Sequence, residues 1–279
     1  MYKIILDSCG ELTAEMKTDG HFSNVPLTID IDGHSIVDDE SFDQSDFLRR
    51  VRESPKGPQS ACPSPESYMH AYEGDADNVY VVTLSSQLSG SYNSAVLAEK
   101  LYREEHDDGK RIHVFDSCSA SIGETLIGIM AQELEKAGAT FDEVVRRTEE
   151  YIRTQHTFFV LETLETLRKA GRLSNLKAFV AQKLNIKPIM GSTDEGSIQQ
   201  LDQSRGMKKA LAKMVDKMLA VTKNCEERIL AISHCNCPER ADYVKELVES
   251  AAVFRDVIVV DTAGISSMYA NDGGIIMVV

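Results

Sequence analysis

The chain has 279 residues, 42% of them hydrophobic and 27% charged, enough to bury one large core or two moderate ones, which excludes a small stapled scaffold. Forty-four acidic against 30 basic residues give a formal charge of −14, a field that repels nucleic-acid backbones and anionic membrane surfaces. Apolar runs such as 4–6, 158–161 and 275–279 fall far short of the roughly 20 residues of a membrane span, and Asp7 cuts the first before a signal-peptide core can form. The chain opens with a strand over 2–6, a second over 25–31 turning at Asp32-Gly33, and a helix over 42–52. Residues 54–65 hold four of the seven prolines and read as an extended polar loop ahead of a helix near 66–72. A continuous apolar strand over 79–84 leads through SSQLSGSYNS into a helix over 95–105. The order repeats as strand 112–115, turn DSCSAS and helix 124–137 closed by Gly138, and two such units imply a parallel sheet.

After a polar helix over 141–155 the texture changes, dividing the chain into an N-terminal α/β domain, 1–155, and a C-terminal domain, 156–279. The second half reads strand 156–161, helix 164–169, a stop at Gly171, helix 175–183, and a hairpin of strands 186–190 and 197–202 turning at 194–196. Helix 207–222, strand 228–233, helix 239–251 opened by Pro238, and strands 257–260 and 275–279 complete it. The predicted fold class is α/β with two domains, the first a mainly parallel α/β sandwich and the second a mixed or antiparallel α/β domain.

Dinucleotide, P-loop, HExxH, EF-hand and GxSxG signatures are all missing from the sequence. Cys235 and Cys237 stand too close for the usual zinc spacing and have no second pair, so neither metal nor cofactor is expected. The six cysteines are scattered without a disulfide framework, which reads as a reducing cytoplasm. What remains is a set of Ser-rich loops at strand ends, where open α/β sheets place ligands: Ser8, 85–94 and 117–121. A hydroxyl beside free N–H groups at a helix start receives a carboxylate without needing a full positive charge. Taken singly, each serine at such a position more commonly serves as an N-cap. Asp7 and Asp116, each followed by Ser-Cys, are expected to cap local N–H groups. Arg172 and Arg205 each stand beside a glycine at a junction of elements, where a guanidinium is presented either to solvent or to an anion. A serine-dependent hydrolase or transferase, with Ser89 as nucleophile and His234 as base, is the alternative to a binding protein, although no orienting carboxylate and no elbow motif accompany them.

Taken in order, these segments resemble the DegV family, which includes the fatty-acid-binding subunits of bacterial fatty acid kinases. SACPSP (60–65) is similar to the family's TSQPSP loop, LSSQLSGSYNSA (84–95) to its SSxLSGTYxSA loop, and FDSCSASIG (115–123) to its DSxxxSxG turn. VLETLETLRKAGRLS (160–174) is similar to VLDTLxxLxxGGRIS. Asp7-Ser8 ahead of Glu11-Leu12, the Pro26-Leu27 strand, LNIKPI (184–189), Gly196 and Arg205-Gly206 keep the family's order. The resemblance implies a two-domain α/β fold that buries a long-chain fatty acid with its carboxylate near the entrance. It implies further that Ser60, at the place of the family's loop threonine, and Ser89 hydrogen-bond that carboxylate, and that Gly90 brings a backbone amide close. Arg172 and Arg205 would lie at the carboxylate end or face a partner fatty acid kinase that makes acyl phosphate. On this reading the chain is a carrier with no catalytic residue of its own. It departs from the pattern at Ala61 and Cys62, and at the family's HxGPG, which here reads AxDGG with Ala270 in place of the histidine and Gly273 in place of the proline. The lipid-binding loops therefore keep the pattern better than the phosphotransfer end.

Overall fold

The protein is described by a computed structural model over residues 1–173 and 185–279; the helix expected over 175–183, with Ser174 and Leu184 of the family-like segments, lies outside the described residues. The first half forms β1 (Tyr2–Asp7), α1 (Ala14–Asp19), β2 (Phe22–Val25), β3 (Thr28–Ile31), β4 (His34–Val37), α2 (Gln44–Glu53), β5 (Gln59–Ala61), α3 (Pro65–Tyr72), β6 (Asn78–Thr83), α4 (Ser91–Glu105), β7 (Arg111–Asp116), α5 (Ile122–Lys136) and α6 (Phe141–Ile152). The second half forms β8 (Thr157–Val160), α7 (Glu165–Lys169), β9 (Ile186–Ser192), β10 (Ile198–Arg205), α8 (Met207–Val221), β11 (Ile229–His234), α9 (Pro238–Ala251), β12 (Asp256–Asp261), α10 (Gly264–Ala270) and β13 (Ile275–Val278).

The apolar runs of β1 and β6 are buried on both faces, as strands covered by helices on either side must be. They form the centre of a parallel sheet of order β2-β1-β6-β7. From β1 the chain moves outward to β2 on one side and later to β6 and β7 on the other. The carboxyl ends of β1 and β6 therefore flank a topological switch point, where the loops diverge and leave a crevice. The six-stranded sheet has the order β10-β9-β8-β13-β11-β12, with β11 and β12 parallel and the other pairs antiparallel. Helix α5 packs between the two sheets: Ile127 and Ala131 join Ile4 and Leu6 of β1, while Ile122 and Leu126 meet Ala231 and Val278. The fold is thus α/β, with a parallel sheet in the N-terminal half and a mixed sheet in the C-terminal half, as the sequence predicts.

Strand β8 shows how side-chain alternation divides the second half. Phe158 and Val160 pack into the core beneath α8, whereas Phe159 and the adjoining Leu161 point the other way, toward the space between the sheets. The strand expected over 25–31 is divided. β2 ends at Val25 and pairs with β1, Pro26 has no N–H to continue a ladder, and β3 then joins a separate antiparallel sheet of order β4-β3-β5. Asp32 (φ +53) and Gly33 (φ +83) turn the β3–β4 hairpin, as two-residue loops of this hand require. Ser60 sits in β5, paired with Ile29, and not in an extended loop as expected. No periodicity in the sequence marks α1, β4 or α10.

Candidate ligand-binding site

A cavity lies at the switch point. Leu84 and Leu88 of the loop after β6, Phe159 and Leu161 at β8, Ile198 of β10 and Ile265 of α10 line it. About 840 Å³ of empty space, the open mouth included, lies between these side chains, and about 90 Å³ of it is open to the centre of a water molecule, so the space is a narrow slot.

Serines and a threonine also line the inner wall, yet that wall is apolar to anything inside it. Ser119 Oγ is 2.6 Å from Thr157 Oγ1, and Ser266 Oγ donates to the Cys9 carbonyl at 3.1 Å. Ser121 Oγ lies 2.9 Å from Glu11 Oε1 and 2.8 Å from Ser233 Oγ. Hydroxyls already satisfied by protein groups leave mainly their carbon atoms for the cavity. The turn that carries them is tightly held. Cys118 (φ +49) and Ser121 (φ +58) both adopt backbone angles that residues with side chains rarely take, at a cost of about 1–3 kcal/mol each. The Ser85 amide bonds the Ser119 carbonyl at 3.0 Å, and the Ser121 amide lies 3.3 Å from Cys9 Sγ. Gly196, in the β9–β10 turn with φ +85, presses onto the same turn and accepts a 2.9 Å bond from Ser85 Oγ. A Cβ on Gly196 would come within 2.7 Å of Cys118 Cα.

At its mouth the cavity adjoins an open polar recess, and the two share Ser89 and Arg172. Arg172 is anchored by its backbone neighbours, Nε donating to the Leu88 carbonyl at 3.1 Å and Nη1 to the Ala170 carbonyl. Ser89 Oγ accepts the Ser91 amide at 3.2 Å. Gly90 is the N-cap of α4 and has no side chain to cap it, so, the Ser91 amide being taken by Ser89 Oγ, the next N–H groups of the first turn are left for the recess. The conformation at Gly90 is ordinary (φ −77), and its missing side chain instead makes room for Cys62, whose Sγ would lie 3.1 Å from a Cβ there. The 60–65 segment and the LSG turn are thereby brought together. Ser60 also lines the cavity, its Oγ 3.1 Å from the Tyr269 hydroxyl. The structure thus gathers Ser60, Ser89, Gly90 and Arg172 at the cavity and its recess, whereas Arg205 is exposed at the end of β10 and lines neither.

Behind the wall lies a layer of buried carboxyls, Asp7, Glu11, Asp38 and Glu124, of which Asp7 is the one the sequence reading expects to cap local N–H groups. Burial pushes Glu11 up to about 7 and Asp38 up to about 6. Burial followed by the neighbouring Asp7 holds Glu124 well above the usual range, and burial raises Asp7 itself. Asp7 accepts the Leu84 amide at 2.9 Å, the Cys9 amide at 3.1 Å and the Ser91 hydroxyl, so it ties the end of β1 to the loop after β6. Asp38 accepts the Gly264 and Ile265 amides at 2.7 and 2.8 Å and so fixes the start of α10. Asp116 caps the Cys118 and Ser86 amides, a local role like that expected of it. Burial holds the Cys9 thiol well above its usual value and pushes Cys118 up to about 11, which keeps both cavity thiols protonated and poorly nucleophilic.

His234 is buried at the end of β11, 3.2 Å from Asp261, and does not line the cavity that holds Ser89, so the hydrolase pairing is not assembled. Among the described residues no group of three or more His, Cys, Asp or Glu side chains is placed to hold a metal ion, and no helix is long and apolar enough to cross a membrane.

A family model described as "Uncharacterised protein, DegV family" matches residues 1–277. A DegV domain-containing protein of Streptococcus gordonii is 34% identical over 282 residues, covering 99% of this chain and 98% of that protein. A crystal structure of a DegV family protein from Ruminococcus gnavus, refined with vaccenic acid, is 55% identical with a TM-score of 0.97 over 100% of this chain and 99% of that one. A DegV family protein from Eubacterium eligens loaded with heptadecanoic acid is 29% identical, with a TM-score of 0.90 over 100% and 99%. The Streptococcus pneumoniae Fatty Acid Kinase (Fak) B3 protein loaded with linoleic acid is 32% identical, with a TM-score of 0.88 over 100% and 98%.

Proposed function

The chain belongs to the DegV family, and from that premise we propose that it is a carrier that buries the tail of a long-chain fatty acid in the slot and holds the carboxylate at its mouth. The observation that carries this reading is the pairing of an apolar cavity with a polar recess that shares Ser89 and Arg172 with it. Burying a tail gains about 0.8 kcal/mol per methylene, so roughly 14 methylenes gain about 11 kcal/mol, against association costs of about 4–15 kcal/mol. The tail supplies affinity, and the head must not forfeit it. A carboxylate stripped of water needs donors, and Ser60, Ser89 and the uncapped first turn of α4 offer them, with the anchored Arg172 guanidinium alongside. The fatty acids held by the similar solved proteins support the same occupant.

The carrier presents its ligand to a fatty acid kinase for acyl-phosphate formation, the exposed Arg205 facing that partner, and the boundary at 155/156 separates the Ser-rich ligand loops from the half that covers the tail. The kinship to the Fak B3 protein supports the kinase partner, and Ala270, at the family's histidine position, makes this the step most in need of its own assay. Mass spectrometry of an organic extract of the purified protein should find a long-chain fatty acid. Replacing Ser60 and Ser89 together with Ala should weaken rebinding of that acid severalfold or more in a protein that stays folded. An extract without lipid, from a protein that also rebinds none, would overturn the reading. Acyl phosphate formed only when ATP and a fatty acid kinase are both supplied would support the partnership, and acyl transfer or hydrolysis by the chain alone would defeat it.

A further inference from the structure

We infer that Tyr269 is a third hydroxyl ligand of the acid head group and sets the preference of the cavity for a free acid over an uncharged head; this rests on the carrier reading above. The Tyr269 hydroxyl is 3.1 Å from Ser60 Oγ, and both side chains line the cavity. Two hydroxyls that share one hydrogen bond use one of their two hydrogens, and neither has another partner among the described residues. One O–H therefore remains to be donated. The inner hydroxyls differ, because Ser121 and Ser266 spend their hydrogens on a carboxylate and a carbonyl. A carboxylate has two acceptor oxygens and no donor, so it matches the one O–H that the bonded Ser60–Tyr269 pair still has to donate. An alcohol or ester head offers a weaker, uncharged acceptor and gains less from the same pair.

The placement of Tyr269 is built rather than incidental. Asp38 holds the first two amides of α10, and the Asn271 side chain donates to the Tyr269 carbonyl at 3.0 Å while accepting from Thr166 Oγ1 at 3.1 Å. The helix is thus fixed at both ends around the tyrosine. Ala270, buried and lining the same cavity, brings no polar group of its own to that wall, so the phenol is the polar side chain that α10 contributes beside Ser60.

The test uses the full chain stripped of lipid and titrated calorimetrically with oleate and with oleyl alcohol. Tyr269→Phe should bind oleate about five- to tenfold more weakly while its affinity for the alcohol stays within about twofold. A parallel fall for both probes would assign Tyr269 a packing role and overturn the inference, as would unchanged oleate binding. Should the Phe variant not fold, Tyr269→His, which keeps an N–H donor, should retain most of the acid-over-alcohol ratio; loss of that ratio in a folded His variant would also count against the inference. If Ser60→Ala weakens oleate binding and Tyr269→Phe does not, the carrier reading stands and this inference falls. A wild-type chain that binds neither probe removes the carrier reading and the inference with it.

Discussion

The inner wall of the cavity and its mouth are built from the same residue types and behave in opposite ways. At the inner wall Ser119, Thr157, Ser121 and Ser266 are bonded to one another, to Glu11 or to backbone, so a hydroxyl-rich stretch of sequence makes an apolar surface. At the mouth α4 starts from a glycine N-cap, and on the same cavity the half-buried Ser60 and Tyr269 have each other. The polarity of a lining is therefore set by where its hydrogen bonds go and not by its composition. Inner hydroxyls serve the fold, and the mouth hydroxyls are the ones proposed to serve binding.

That division can be broken in several ways. The largest effect is expected from Gly196→Ala, which adds a Cβ within 2.7 Å of Cys118 Cα at a φ of +85; a loss of about 3 kcal/mol in urea unfolding is expected. A loss below about 0.5 kcal/mol would show that the Ser-rich turn is not clamped from that side. Next comes pH. Glu11 and Asp38 titrate at about 7 and about 6 in the folded chain, against ordinary values of 4.5 and 3.8. At these two groups the folded state then holds more protons than the unfolded one, so the stability they contribute falls as pH rises from about 4 to about 7. Exposed acids held below their usual range by basic partners, such as Asp202 beside Lys213, lose their contribution only as pH falls below about 4, outside this window. Glu11→Gln should flatten the upper part of the slope by about 2 kcal/mol in denaturation curves taken between these pH values, and an unchanged slope would remove Glu11 as its source.

Ser121→Ala deprives Glu11 and Ser233 of a partner and should cost about 1.5 kcal/mol while the folded fraction keeps its lipid affinity within about twofold. The smallest change in stability, about 0.5 kcal/mol or less, is expected for Ser60→Ala with Ser89→Ala, the pair proposed to matter most for the ligand. A large loss of stability there with intact affinity would invert the comparison.

Much of this architecture is legible in the chain. The unbroken apolar run of β6 required cover on both faces, and the Ser-rich segment after it stood where an open parallel sheet places a ligand. Helix starts shifted with their caps: Asp43 accepts the Asp46 amide at 2.9 Å, so α2 begins at Gln44, two residues after the expected start. What stayed hidden depended on distant partners. β5 is three residues long and exists because β3, some thirty residues earlier, pairs with it. Helix α10, with Gly264, Ser266 and Ser267 in its seven residues, has weak intrinsic propensity and is held in part by Asp38 from the other half of the chain. Tyr269 was invisible for the same reason, since nothing local announces a partner at Ser60. The burial of Glu11 and Glu124 was hidden as well, because burial is a property of the packed molecule and not of the residue.

The alternation along β8 has a consequence for how such a chain diverges. Thr157 and Phe159 touch the cavity while Phe158 and Val160 pack under α8. Neighbouring residues thus meet different physical demands. A change at Phe159 would therefore reshape the cavity while Phe158 and Val160 go on stabilising the sheet, so the shape of the cavity can change without the scaffold being reinvented.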